Sequence, residues 1–205
     1  MRPIPEPVIG AIIMSSSSLI YRTYEPQSSV EKYAWLQSQM RTWLPVLAFT
    51  MAFAVESTPY LGADRTSAPL QRIAEAVFGY NACVHWDMIH HIIRKTGHFM
   101  GFGIFSLICF RSFWMTWQNV ARHLRQLLAY GLAILATFLV AGADEFHQSL
   151  LPNRTGQFSD VLLDCCGAAT LCFVLFLGMQ AVEGLKKARA RTSSNLEPAY
   201  AGTTA

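Results

Sequence analysis

Charged residues are scarce in this chain. Asp, Glu, Lys and Arg together make up 14% of its 205 residues, whereas a soluble domain usually carries about a quarter. Hydrophobic residues account for 52%, and the mean hydropathy is +0.28. So little charge in so apolar a sequence argues against an ordinary soluble enzyme and favours a membrane protein.

The sequence also lacks the signals of several other classes of protein. Its net charge is +3, with Lys and Arg spread along the chain, so there is no basic stripe to bind nucleic acid. The five cysteines include no CxxC pair, and most lie inside apolar runs, which indicates small core residues. A metal site built from His98, His147 and carboxylates is conceivable, but no compact ligand spacing such as HExxH is present. We therefore expect no metal, no cofactor and no nucleic-acid partner.

Four apolar segments approach the ~20 residues that a membrane-spanning helix needs. They are residues 43–55 extended at both ends, 96–117, 127–143 and 161–182. The first is short because Arg41 and Glu56 bound it, so it spans only if the whole stretch 41–60 takes part. The alternative, that two of these segments are buried helices of a soluble bundle, is disfavoured because soluble helices normally show a polar face. The sequence predicts an all-α polytopic membrane protein, a bundle of about four transmembrane helices.

Polar and basic segments flank this predicted transmembrane domain, which covers residues 39–184. Residues 1–38 are expected to be a disordered N-terminal segment, and residues 185–205 a basic cytoplasmic tail. With four spans, both termini and the loop at 118–126 share one side, which carries eleven of the 16 Lys and Arg residues. Basic loops stay cytoplasmic. We therefore expect a multi-pass protein of the cell membrane with both termini in the cytoplasm.

Polar residues cluster at the predicted outer ends of three of these helices. They are Lys95 and His98 in the second helix, Asp144, Glu145, His147 and Gln148 in the third, and Asp160 and Asp164 in the fourth. Arg154 lies between the third and fourth helices, after Pro152 and Asn153, in a stretch typical of a tight turn. An ionised group near hydrocarbon costs at least ~2.5 to 3.5 kcal/mol, so each one needs a partner or a water-filled pocket.

Glycines of the second helix predict a close helix crossing beside these residues. Gly97 and Gly101 are four residues apart, the GxxxG spacing that removes side-chain bulk where two membrane helices meet. The pattern Gly97, His98, Gly101 and Gly103 therefore predicts a helix that holds polar groups tightly against a partner helix.

Two interpretations of the polar cluster stay open from the residues alone. In the structural one, Lys95 pairs with Asp144 or Glu145 and Arg154 pairs with Asp160, and these ion pairs fix the helix register. In the functional one, the cluster is an outward-facing site. Its acid and base residues would then be Glu145, Asp144 and His98, and its substrate-binding residues Lys95, Gln148, Arg154 and Asp160, with the two cations holding an anion such as a phosphate.

Three ordered motifs resemble the VanZ-like membrane family, named after a protein linked to low-level teicoplanin resistance. They are "ESTPYLG", "RKTGHFMGFGIFSL" and "DEFHQSLLPNRTGQFSDVLLDCCGA", and the resemblance covers roughly residues 43–180. It implies a small multi-pass membrane protein whose polar positions are matched here by Lys95, His98, Asp144, Glu145, Gln148, Arg154 and Asp160. One position departs from the family's pattern, because Asp164 stands where an Asn is usual.

These observations lead to one leading function and one alternative. We expect the protein to bind or act on an anionic envelope lipid or a lipid-linked cell-wall precursor, with a possible effect on susceptibility to glycopeptides such as teicoplanin. The alternative is a non-catalytic membrane scaffold whose charges are internal ion pairs. A transporter is disfavoured because four helices leave little room for alternating access unless the protein oligomerises. The sequence leaves open whether the protein is an enzyme, and its oligomeric state.

Overall fold

Every regular element that the structure describes is helical. The structure is a computed structural model that describes residues 29–151 and 156–201. Its elements are α1 (Ser29–Glu56), a 3-10 turn (Pro59–Leu61), α2 (Ala63–Phe78), a second 3-10 turn (Tyr80–Cys83), α3 (Trp86–Thr116), α4 (Arg122–Ser149) and α5 (Phe158–Ala201). The predicted all-α fold class is confirmed.

The chain divides into two compact units between Leu36 and Gln37. In the first unit, the described residues are the opening turns of α1. Most of the predicted N-terminal segment, residues 1–28, lies outside the described residues, and residues 29–38 are helical. The second unit holds the rest of α1 and all the other helices. Within it, the basic tail continues α5 as a helix as far as Ala201.

Among the described residues, three helices are long and apolar enough to cross a membrane. They are Trp86–Thr116, Arg122–Ser149 and the Phe158–Thr192 part of α5, whose most apolar 18-residue windows have mean hydropathies of 1.4, 1.8 and 2.2. The second, third and fourth predicted spans fall within them. The first predicted span lies in α1, which does not qualify, since Arg41 and Glu56 bracket its apolar stretch.

Helix α1 nevertheless packs beside α3 in the opposite direction. The indole N–H of Trp43 donates a hydrogen bond to Thr116 Oγ1 over 3.2 Å at one end of α3. Two to three turns further along α1, Phe53 stacks on Phe102 with ring centroids 4.1 Å apart. This part of α1 therefore accompanies the apolar length of α3, although its own composition is too polar at both ends for a free-standing span.

The core lies where α3, α4 and α5 meet. Helices α3 and α5 run parallel and α4 runs opposite to both, as contacts near the helix ends show. The buried apolar residues are Phe102, Phe105, Cys109, Phe110, Ala129, Ala133, Ala141 and Val161. The alanines of α4 let α3 approach closely, and large apolar side chains such as Leu139 and Phe173 point outward. An apolar exterior, with small residues where the helices approach closely, is typical of a lipid-embedded bundle.

The closest helix crossing joins α3 to α5. A Cβ added at Gly167 would overlap the backbone carbonyl oxygen of Phe99, and one added at Gly103 would lie 3.1 Å from the Gly167 carbonyl oxygen. Of the glycines predicted to bring α3 close to a neighbouring helix, Gly103 lies at this crossing, whereas Gly97 and Gly101 do not. A Cβ at Gly97 would meet nothing within 4 Å, and one at Gly101 would meet only the Phe53 ring at 3.5 Å, because the face of α3 that meets α5 is centred on Phe99 and Gly103.

Candidate functional site

The polar residues predicted from the sequence come together at one end of the bundle. Parallel packing places the first turns of α5 beside Lys95 and His98 of α3, and the antiparallel α4 ends at the same level. The polar end comprises Lys95, His98, Asp144, Glu145, Gln148, Asp160 and Asp164. Arg154, the remaining predicted binding residue, lies outside the described residues.

An ion pair joins α3 to α5 at the outer edge of this polar end. Lys95 Nζ donates to Asp160 Oδ1, and the two side chains are 32% and 25% exposed. The predicted pairing of Lys95 with Asp144 or Glu145 is therefore wrong. The parallel neighbour of α3 is α5, and its first turn brings Asp160 to the level of Lys95.

One turn deeper, His98 faces Asp164. The His98 Nδ1 to Asp164 Oδ2 distance is 3.6 Å, longer than a normal hydrogen bond. Asp164 is fully buried, and within residues 29–151 and 156–201 neither of its carboxylate oxygens has a hydrogen-bond partner. Asp164 is thus more buried than Asp160, which lies one turn earlier on α5. The His98–Asp164 pair is therefore the least satisfied polar contact of the polar end. A buried polar group without a hydrogen-bond partner costs free energy.

Glu145 holds the start of α5 against the end of α4. Its side chain is buried, and Oε2 accepts a hydrogen bond from the backbone N–H of Gln157 over 2.8 Å. Gly156 is required beside it, since a Cβ there would overlap the carbonyl oxygen of Glu145. The sequence predicted an acid or base at Glu145, and the structure gives its carboxylate a backbone partner.

The last turns of α4 carry two further polar contacts. Gln148 Nε2 donates to Asp144 Oδ2 over 2.8 Å, one turn apart on α4. His147 Nδ1 and Ser57 Oγ are 2.8 Å apart, and this hydrogen bond ties α4 to the residue after α1. Ser57 was not predicted, because a single serine after a helix carries no spacing signal.

Acidic residues outnumber cations at the polar end. The described part holds four carboxylates, those of Asp144, Glu145, Asp160 and Asp164, and a single lysine, Lys95. Asp144 is close enough to act electrostatically on both His98 and Asp164. No three His, Cys, Asp or Glu residues among those described are arranged to hold a metal ion.

An apolar groove opens beside the polar end, between α4 and α5. It has a volume of about 250 Å³. Its lining consists of Phe138, Gly142, Glu145, Phe146, Ser149, Gly156, Phe158 and Val161. Glu145 and Gly156 belong to both the groove and the polar end, so the two features are continuous.

A helical bundle with an apolar exterior and buried charges at one end defines a polytopic membrane protein. The model of the VanZ/LLP1 family matches residues 42–180. The chain therefore belongs to the VanZ/LLP1 family, which confirms the resemblance seen in its motifs. No curated protein and no solved structure matches the chain.

Proposed function

We propose that this VanZ/LLP1 protein binds an anionic envelope lipid, or a lipid-linked cell-wall precursor, at the polar end. The supporting observation is the groove between α4 and α5, because its aromatic walls at Phe138, Phe146 and Phe158 lead directly to Glu145. A lipid chain fits apolar walls, and its headgroup would then lie among the polar residues.

Lys95 and Arg154 are the cations that would contact an anionic headgroup. Lys95 uses one of its three N–H donors on Asp160 and keeps the others for a phosphate or carboxylate. Arg154 follows α4 closely in sequence and precedes α5, and an arginine fork suits phosphate oxygens. Because carboxylates are in excess here, neutralising Lys95 should weaken binding strongly. His98 and Asp144 are the residues that would exchange a proton with the bound headgroup.

The scaffold alternative has its own support. Two matched contacts fix α3, α4 and α5 together. One is the ion pair of Lys95 with Asp160, and the other is the hydrogen bond that the Gln157 N–H donates to Glu145. A pure scaffold would give every buried polar group a hydrogen bond, however, and Asp164 faces His98 at 3.6 Å with no hydrogen-bond partner in the described part of the chain. This poorly satisfied pair favours a site over a scaffold.

Filling the groove should remove lipid binding without disturbing the helices. Gly142 lines the groove, and a Cβ there meets nothing within 4 Å. We expect Gly142→Leu to weaken retention of the co-purifying envelope lipid at least about tenfold, a loss of ~1.4 kcal/mol. The measurement is mass spectrometry of lipids extracted from the purified protein.

Gly131→Leu is the matched control, since Gly131 lies on the same helix, is equally open and does not line the groove. Equal lipid retention in both variants and in the unmodified protein would remove the groove from the proposal. In cells, deleting the protein should change the profile of envelope lipids and wall precursors or the susceptibility to teicoplanin, and the Gly142→Leu variant should fail to restore it. An unchanged profile and susceptibility on deletion would contradict an envelope role.

We also propose that the polar end faces outward and that both termini are cytoplasmic. In a background without the native cysteines, Leu150→Cys at the exposed end of α4 should react with a membrane-impermeant thiol reagent on intact cells. Ala121→Cys, exposed just before α4 at the opposite end, should react only after the cells are opened. Reversed labelling would place the polar end inside the cell.

A further inference from the structure

We infer a second lipid site, specific for an anionic phospholipid, at the end of the bundle opposite the polar end. A groove of about 540 Å³ lies there between the first turn of α4 and residues 174–186 of α5. Residues that define it include Arg122, Val174, Gly178, Val182, Glu183 and Lys186. It shares no residue with the groove beside Glu145, so it stands independently of the proposed function.

The wall of this groove has the form of a channel for an acyl chain. On α5, Val174, Gly178 and Val182 recur every four residues and so lie along one face of the helix. A Cβ at Gly178 would meet nothing within 4 Å, which leaves open space in the middle of the stripe. From Val174 to Lys186 the groove runs about 18 Å by helix rise.

The rim of the groove carries an excess of positive charge. Arg122 Nη2 pairs with Glu183 Oε1, which leaves the other guanidinium donors of Arg122 available. Lys186 is one turn beyond Glu183 and forms no hydrogen bond or ion pair within the described ranges. Arg125 is already engaged, because its guanidinium lies 3.9 Å from the centroid of the Trp114 ring. The rim therefore has two cations, Arg122 and Lys186, and one carboxylate, Glu183. This net positive charge complements the phosphodiester of a lipid whose headgroup carries no cation.

The level of this groove matches a membrane interface. Trp114 and Trp117 lie at the C-terminal end of α3, and Trp43 of α1 packs beside them against Phe113 and Thr116. Tryptophans concentrate where headgroups begin. Lys187 and Arg189 follow directly on α5, and each basic residue near an anionic surface contributes about 1 kcal/mol to lipid attraction. A phospholipid whose acyl chain fills the groove and whose phosphate contacts Lys186 satisfies the apolar and the charged parts of the site together. A second apolar helix in the groove would leave Lys186 without an anionic partner.

The test titrates the purified full-length protein with phosphatidylglycerol and, separately, phosphatidylcholine, and counts bound lipids by native mass spectrometry. We expect one tight phosphatidylglycerol and no comparably tight phosphatidylcholine. Gly178→Leu, which fills the groove, should abolish that tight binding. Lys186→Gln should weaken it about fivefold, as expected for one surface cation. Inorganic phosphate should not displace the lipid, since it supplies no chain.

The matched control is Gly184→Leu, which is equally open but absent from the groove lining. It should bind phosphatidylglycerol like the unmodified protein. Equal affinity for the two lipids, or unchanged phosphatidylglycerol binding in Gly178→Leu, would overturn the inference. Displacement of the lipid by inorganic phosphate would also overturn it, because the site would then bind only a simple anion. A dimer that Gly178→Leu abolishes would overturn it as well, because the occupant of the groove would then be a second copy of the chain. Gly142→Leu, which fills the groove beside Glu145, should leave phosphatidylglycerol binding intact. The second lipid site is therefore tested separately from the proposed function.

Discussion

Gly167→Ala is expected to prevent stable packing of the bundle. The new Cβ would overlap the backbone carbonyl oxygen of Phe99, and a backbone atom cannot rotate away as a side chain can. Membrane helices associate largely through close packing, so separating α3 from α5 loses both van der Waals contact and the alignment of the polar end. We expect a loss of about 3 kcal/mol or more, the upper end for overpacking. Thermal unfolding of the purified protein in detergent measures it.

Gly97→Ala is the matched control for this change. It makes the same substitution on the partner helix α3, where a Cβ meets nothing within 4 Å. We expect it to unfold at the same temperature as the unmodified protein. If Gly167→Ala proved as stable as Gly97→Ala, the close crossing of α3 and α5 would be wrong, and with it the alignment of Lys95 with Asp160.

Reversing the charge of Lys95 is expected to destabilise the protein and to abolish the proposed lipid binding. Lys95→Glu replaces the ion pair with two carboxylates beside an already acidic cluster. The side chains are about a quarter to a third exposed, so water moderates the cost, which we place at about 2 kcal/mol. Adding Asp160→Lys should recover most of the lost stability, because the same two positions again carry opposite charges. Unfolding temperature and lipid retention are measured on all variants together.

A second double variant serves as the control. Lys95→Glu with Glu145→Lys should not recover stability, since Glu145 is buried and accepts a hydrogen bond from the Gln157 N–H rather than from Lys95. If this control recovered stability and the Asp160 swap did not, the observed pairing would be wrong. Should the Asp160 swap restore lipid retention as well as stability, the pair would be purely structural. Recovery of stability alone supports a site in which Lys95 contacts the headgroup.

The placement of charge in the sequence was sufficient to predict the class of protein and the location of its candidate site. Lys95 and Asp160 each lie at the edge of an apolar run, where a membrane helix tolerates charge. Two successive runs joined by a short loop are antiparallel. The start of one run, the end of the next and the start of the third therefore lie on the same side of the membrane. That argument brings the polar residues to one end without any knowledge of which helices touch.

Residue partners could not be predicted in the same way. The sequence placed Lys95 opposite Asp144 or Glu145 because α4 follows α3 along the chain. In the structure Lys95 meets Asp160, since the parallel helix α5 lies beside α3. Glu145 instead receives a backbone hydrogen bond from a loop twelve residues away in sequence, and hydropathy gives no signal for such a contact.

Composition and the placement of charge thus determined an all-α membrane protein with a polar cluster at one end, because the cost of placing charge in hydrocarbon acts on each residue separately. Only the tertiary structure decided that Gly167 rather than Gly97 makes the close crossing, that His98 faces Asp164, and that grooves open between α4 and α5. Those features depend on the rotation of each helix about its axis. That rotation is set by the simultaneous fit of side chains from several helices, which no single segment of the sequence contains.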